Sequence, residues 1–318
     1  MSLPIIIDTD PGIDDAMAIY LALLSPELEL VGLTTVFGNA PVEICTRNAL
    51  RILEIADRTD VPVAQGSRYP LTNRPAIEAP HVHGSDGQGN TDLYSPSQRA
   101  LDISAPEFIV EHARQQPGLL TVVMLGPLTN LALALRLEPA LPALLKQVII
   151  MGGNAFCQGN VNPAAEANIF GDPEAADLVF ATDWDLTMVG LDVTNSTLMT
   201  AQTLKTLFQK ETPILNHLKK ITPFYNQFIK RFFGVDGIYL HDSIAIAYLL
   251  VPEYFKTQRY PVAVETQGLG MGKTWVCTTD IANFTSRHEA WRGRMPARIC
   301  LELDGEALQA FMIERFTA

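Results

Sequence analysis

The stretch Ile5-Ile6-Ile7-Asp8-Thr9-Asp10-Pro11-Gly12-Ile13-Asp14-Asp15 constrains this chain more than any other. Three β-branched residues in a row read as a short buried strand. Pro11-Gly12 ends it with strong turn chemistry. Ile13, Ala16, Met17, Ile19, Tyr20, Leu21, Leu23 and Leu24 then recur at helical spacing. The four aspartates therefore lie on a strand-to-helix turn, where open α/β sheets hold their ligands. Carboxylates this close repel one another unless a cation neutralises them, and hard oxygen donors suit Ca²⁺ or Mg²⁺. The helix N-terminus eases the charge on Asp14 and Asp15 only slightly. A lone acid before a helix is usually an N-cap, but capping needs one acid and leaves Asp8 and Asp10 unexplained. The cluster reads as a divalent metal site. Asp8 taken alone fits structural support of the loop as well as it fits ligation.

The 318 residues are 47% hydrophobic, enough for one large α/β domain or two smaller ones. No linker or internal repeat demands the second, so residues 1–318 are expected to form a single domain. The net charge of −12, with no basic block, argues against nucleic acid as a partner. Cys45, Cys157, Cys277 and Cys300 are far apart and make no CxxC pair, so reduced thiols are the default. The first strand begins almost at once, without a charged leader or cleavage site. No apolar run reaches membrane-spanning length. The expectation is a soluble cytoplasmic protein with no membrane partner.

Strand, polar or Gly-rich end and helix recur along the chain. Leu28 to Val36 reads as a strand ending at Phe37-Gly38-Asn39, and Asn39 there is either a turn former or a ligand-binding amide. A helix over 42–56 and a short strand over 61–64 come after it. Residues 66–100 are rich in Gly, Pro, Ser, Asn and His, and a loop this long is usually functional or mobile. His81, His83 and Asp86 could bind a metal, but their spacing does not make a convincing ligand set, so a substrate-covering or subunit-contact loop is favoured. A helix over 106–115, a strand over 119–125, a helix over 131–137 and a strand over 148–151 come next, the last ending in Gly152-Gly153-Asn154. This alternation predicts an α/β fold with an open, mainly parallel, doubly wound sheet. No GxGxxG or Walker A pattern is present.

Glu166 and the asparagines of Asn160-Val-Asn-Pro-Ala-Ala-Glu-Ala-Asn168 look like polar groups for hydroxyls, or like a helix N-terminal segment. Beyond them lie a strand over 186–191 and a helical stretch over 201–233, the latter with an aromatic end at 224–233. His241-Asp242 opens the helix over 244–250. An acid there can close the metal site from the far end of the chain, and a histidine beside it is a candidate proton donor. An N-cap Asp with an exposed His explains those two residues equally well. Residues 260–277 read as a C-terminal hairpin turning at Gly268–Gly272, before a last strand over 297–303 and a helix.

Several motifs together resemble the inosine–uridine nucleoside hydrolase family. They are Asp8-Thr9-Asp10-Pro11-Gly12-Ile13-Asp14-Asp15, Phe37-Gly38-Asn39, His83-Gly84-Ser85-Asp86-Gly87, Leu125-Gly126-Pro127-Leu128-Thr129-Asn130, Met151-Gly152-Gly153, Glu166-Ala167-Asn168 and His241-Asp242. The first is highly specific, and the set spans nearly the whole chain. The resemblance implies a ribonucleoside N-ribohydrolase with one tightly held Ca²⁺, commonly a homodimer or homotetramer. It implies that Asp10, Asp15 and Asp242 bind calcium through carboxylates and Leu125 through its carbonyl, and that Asp14 is the general base for a calcium-bound water. Asn39, Asn160, Glu166 and Asn168, with Asp14 and Asp242, would grip the ribose. Met151 would line the sugar pocket, and His241 would protonate the departing base. Ala167 stands where many members carry Phe, and Gln88 where an apolar residue is common; both bear on base preference. Two rivals remain at this level: a non-catalytic calcium-dependent nucleoside or sugar binder, and an aspartate-nucleophile phosphohydrolase, which would need a phosphate-gripping lysine and a second distal acidic pair.

Overall fold

The computed structural model describes residues 2–91, 93–278 and 291–318, so residue 92 of the long loop lies outside it. Its centre is a nine-stranded sheet. In chain order the first half comprises β1 (Leu3–Thr9), α1 (Ile13–Leu23), β2 (Leu28–Thr35), α2 (Val42–Ile55), β3 (Val63–Gln65), α3 (Pro80–His83), α4 (Ala105–Gln115), β4 (Thr121–Met124), α5 (Thr129–Leu137), α6 (Leu141–Leu144) and β5 (Gln147–Met151). The second half comprises α7 (Ala167–Gly171), α8 (Pro173–Phe180), β6 (Leu186–Val189), α9 (Leu191–Thr194), β7 (Leu198–Thr200), α10 (Ala201–Leu207), α11 (Pro213–Phe233), β8 (Gly237–Tyr239), α12 (His241–Leu250), β9 (Phe255–Val264), β10 (Thr274–Val276) and β11 (Pro296–Leu303), before a C-terminal helix, Gly305–Thr317.

The strands lie in the order β10-β9-β11-β6-β5-β4-β1-β2-β3. The run from β11 through β6, β5, β4, β1 and β2 to β3 is parallel, and β9 pairs antiparallel with both β11 and β10. The open, mainly parallel, doubly wound sheet with a C-terminal hairpin is therefore present. Winding runs outward from β1 toward β3 on one side and from β4 toward β11 on the other. The β1–β4 boundary is thus the switch point, where such sheets bind ligands beyond their carboxyl ends. Asp8 registers with Met124 there, and the Leu125 N–H donates to the Asp8 carbonyl at 2.7 Å.

The triple isoleucine feeds both faces of the sheet. Ile5 and Ile7 join one core and Ile6 the other, all fully buried. Each such side chain contributes roughly 1.5–3 kcal/mol through burial. A strand covered on both sides reads as an unbroken apolar run rather than an alternating one. Helix α1 is buried from Ile13 to Ala22 and packs along α12, itself buried from Asp242 to Tyr248. Neither helix has a polar face, which is the pattern of a helix enclosed by its neighbours. Their packing brings together two N-terminal turns that are more than two hundred residues apart in the chain.

Two local expectations are corrected. The helical stretch over 201–233 is two helices, α10 and α11. The Thr212 hydroxyl accepts the Leu215 N–H as N-cap, and Pro213 occupies the first turn, which disfavours helix at residue 212. The long loop over 66–100 contains the helical turn α3. A two-stranded antiparallel pair, β7 with β8, was not anticipated, because three-residue strands are too short to show alternation. No helix among the described residues is long and apolar enough to cross a membrane, and these residues form no disulfide.

Candidate active site

The acidic stretch turns inward on the sheet's carboxyl edge. Asp8, Asp10, Asp14 and Asp15 are all buried, and so is Asp242. Oxygens of Asp14, Asp15 and Asp242 lie within 4.8 Å of one another, and they form the one group of three or more possible metal ligands among the described residues. Asp14 and Asp15 sit in the first turn of α1 and Asp242 in the first turn of α12, so two helix N-termini point at the cluster. Asp10 adjoins it. Its Oδ2 accepts the Asn39 N–H at 2.6 Å, and its Oδ1 is buried without a hydrogen-bond partner. A Cβ on Gly38 would lie 2.0 Å from Asp10 Oδ2, and one on Gly126 would lie 2.7 Å from Oδ1. Only glycines allow both loops to close on that carboxylate.

Burial raises the pKa of every member of the cluster. Asp10 and Asp242 are pushed well up by desolvation first and then by their neighbours' charge, Asp15 foremost; Asp14 and Asp15 rise to about 6. Two like charges 4 Å apart near a protein surface cost about 4 kcal/mol. Buried carboxylates at this spacing are stable as anions only beside a positive charge, and Asp14 Oδ1, like Asp10 Oδ1, has no hydrogen-bond donor. All-oxygen donors with unspent lone pairs fit a hard divalent cation.

Asp8 has a different task. Its Oδ2 accepts from the Thr34 hydroxyl at 2.6 Å and from Asn130 Nδ2 at 2.7 Å, tying β1 to β2 and to α5. Asn130 Nδ2 also donates to the Thr35 carbonyl. Burial lifts the Asp8 pKa to about 7 against these two bonds. Asp15 is held by the Thr9 hydroxyl, the Gly12 N–H and Asn39 Nδ2. The Asn39 side chain thus spends its donors on Asp15 Oδ2 and the Asp10 carbonyl.

The remaining candidates are held by bonds of their own. Asn168 Nδ2 donates to the Leu125 carbonyl at 2.7 Å and to the Met151 carbonyl at 3.0 Å, joining the ends of β4 and β5. Glu166 is buried and caps α7, accepting from Asn168 and Ile169 N–H groups while its Oε2 takes the Gly153 N–H at 2.9 Å. Glu166 therefore serves as the N-cap of α7, and Asp172 caps the helix that follows. Asn160 stands on the exposed rim, its Oδ1 taking the N–H of Ala167, which is itself exposed. His241 is partly buried; its Nδ1 meets the Thr194 hydroxyl at 2.8 Å and its ring stacks on Tyr239, leaving Nε2 as the free ring nitrogen. Burial, then His83, lowers its pKa to about 4.

The sequence marks His83, Asp86 and Gln88, but not the supporting contacts they make. His83, lowered to about 4 by burial, accepts the Ile13 N–H through Nδ1, which lies 3.8 Å from Asp14 Oδ1. Asp86 is spent on the Gln88, Asn90 and Thr91 N–H groups, so the His81–Asp86 stretch holds the loop in shape. Gln88 is buried and its Nε2 donates to the Gly12 carbonyl at 2.8 Å, so it braces the aspartate turn. The His83-Gly84-Ser85-Asp86-Gly87 motif and the unusual Gln88 mark the loop in the sequence, but nothing in their spacing shows that they brace the aspartate turn.

Residues 5–310 match the model of the inosine–uridine preferring nucleoside hydrolase family. The chain belongs to this family. It shares 42% identity over 312 residues with a protein named probable uridine nucleosidase 2 from Arabidopsis thaliana, covering 98% of this chain and 96% of that one. It is 41% identical over 316 residues to a non-specific ribonucleoside hydrolase from Klebsiella pneumoniae, covering 99% and 98%. A solved plant nucleoside hydrolase superposes over 100% of both chains with a TM-score of 0.96 at 38% identity. The chain is a ribonucleoside hydrolase, an enzyme acting on N-glycosyl compounds, and the phosphohydrolase and non-catalytic readings fall away.

Proposed function

We propose that this hydrolase cleaves the N-glycosidic bond of ribonucleosides to free base and ribose with one Ca²⁺. Asp10, Asp15 and Asp242 would hold the ion through carboxylates and Leu125 through its carbonyl. The observation that carries the reading is the convergence of Asp14, Asp15 and Asp242 oxygens within 4.8 Å from opposite ends of the chain. The ion, when bound, supplies Lewis-acid polarisation and a template for oxygen ligands.

The chain's own groups do the rest. Asp14, with an unpartnered oxygen, accepts the proton of the attacking water as its oxygen bonds to C1′ and the C1′–N bond breaks. The departing base takes a proton or a strong hydrogen bond from His241, whose Nδ1 is fixed on Thr194. Asn39, Asn160, Glu166 and Asn168, with Asp14 and Asp242, grip the ribose hydroxyls, and Met151 lines the sugar pocket. Holding the ring this way orients C1′ for attack, and the surrounding carboxylates stabilise an oxocarbenium-like transition state.

Uridine belongs among the substrates, a reading supported by the names of the 42%-identical relative and of a 41%-identical Arabidopsis thaliana uridine nucleosidase. A single-domain chain, a cytoplasmic location and a dimer or tetramer complete the proposal. The test is one panel of purine and pyrimidine ribonucleosides, followed chromatographically for free base and ribose, with metal content measured on the same sample. Uridine turnover at one calcium per chain is expected. Full turnover by metal-free protein overturns the calcium assignment.

A further inference from the structure

The loop that carries Asn160 and Glu166 is fastened from outside the site. It leaves β5 through Gly153, which sits at φ +77, in the left-handed region. The Gly153 N–H holds Glu166 Oε2, so the orientation of this turn sets the orientation of the carboxylate. The next residue, Asn154, is fully buried and is gripped by the distant hairpin. Its N–H donates to Thr274 Oγ1 at 2.8 Å, and the same hydroxyl donates back to the Asn154 carbonyl at 2.8 Å. One side chain thus satisfies both main-chain groups of Asn154, as a neighbouring strand would. Lys273 Nζ donates to that carbonyl as well, at 2.6 Å. Asp192 on α9 accepts the following two N–H groups, from Ala155 and Phe156, at 2.7 and 2.8 Å.

We propose that Thr274, on the outermost strand β10, is a positioning residue for sugar binding: its hydroxyl locks the Gly153–Asn154 turn that presents Glu166 to the ribose. Thr274 does not touch the aspartate cluster, so it acts through the turn alone. Lys273 supports the same carbonyl, and its loss has a smaller effect because the hydroxyl still makes both bonds. The hairpin thereby becomes part of the sugar site although it contributes no ligand to it. This inference rests on the assignment of Glu166 to ribose binding.

The experiment compares Thr274→Val, which keeps the shape and removes the hydroxyl, with Thr274→Ser, which keeps the hydroxyl, in steady-state hydrolysis of uridine by the metal-loaded enzyme. Thr274→Val is expected to raise KM five- to twentyfold with kcat within about threefold. Thr274→Ser stays within twofold of the parent on both, and Lys273→Met raises KM two- to fourfold. A Thr274→Val enzyme with parental KM overturns the proposal. So does a Thr274→Ser enzyme as impaired as Thr274→Val, or a loss carried by kcat alone. Should Thr274→Val fail to fold, an unchanged KM in Lys273→Met overturns it. Glu166→Gln separates the two layers. If Glu166→Gln leaves KM unchanged, the assignment of Glu166 fails; if it raises KM and Thr274→Val does not, only the positioning role fails.

Discussion

Replacing Asp14 by Asn asks whether this carboxylate works on the substrate or merely holds the ion. The residue is 8% exposed, and its Oδ1 has no hydrogen-bond partner. Bulk water cannot readily stand in for a base so enclosed. His83 Nδ1 lies 3.8 Å from Asp14 Oδ1, but that nitrogen already accepts the Ile13 N–H. With Asp10, Asp15 and Asp242 committed to the proposed ion, no neighbouring group is placed to take the proton. General acid–base groups contribute about 10²–10⁴-fold, and the lack of a substitute puts Asp14→Asn in the upper half of that range. The corresponding barrier increase is about 4–5 kcal/mol. Asp10, Asp15, Asp242 and the Leu125 carbonyl remain, so the variant is expected to keep its metal. The assay measures kcat with saturating uridine and metal content by atomic emission on the same preparation. Metal lost in step with activity would make Asp14 a ligand instead of a base. Retained metal with kcat within tenfold of the parent would move the base elsewhere.

Asp10→Ala should abolish both bound metal and turnover, since Asp10 Oδ1 is a buried acceptor with no protein donor; metal analysis beside an activity assay checks this. His241→Ala should slow uridine at least tenfold more than p-nitrophenyl riboside, whose leaving group needs no proton, and an equal loss on both would remove His241 from that role. His217, away from the aspartate cluster, should contribute to acid sensitivity. Burial lowers its pKa to about 4, its Nδ1 meets the Tyr20 hydroxyl at 2.7 Å, and its Nε2 has no partner. The unfolded chain binds this proton more tightly than the folded one, so the His217 contribution is intact above pH 6.5. It falls by roughly 3 kcal/mol as pH drops from 6.5 to 4. Denaturant melts of His217→Gln across that window should show a shallower acid limb than the parent, and an unchanged limb would refute the assignment.

Legibility in the residues alone tracks the range of the forces involved. The turn after β1 is local: an isoleucine run, Pro11-Gly12 and an apolar helix specify it within twenty residues, and the acids come with it. Asp242 was readable only as a candidate, because its meeting with Asp14 and Asp15 depends on α1 lying along α12. A signal did exist, since both helices are apolar on every face and so must be enclosed, but that pattern does not name the partner. Asp8 shows the reverse limit. It sits in the same motif as Asp10, yet Thr34 and Asn130 make it a brace between strands, and no spacing in the sequence separates the two roles.

The supports of the sugar loop were the least legible, for a physical reason. A threonine on an edge strand is an ordinary β-former, and Asp192 reads as a residue at a strand end. Their meaning comes from a tertiary closure in which the loop after β5 reaches the edge strand β10 and the short helix after β6. Helix α9 shows how far that closure reaches. Within four residues it supplies Asp192 to the loop bearing Glu166 and Thr194 to His241. A displacement of α9 would therefore disturb both the loop bearing Glu166 and the setting of His241, which would tie the proposed grip on the ribose to the proposed release of the base through one short turn.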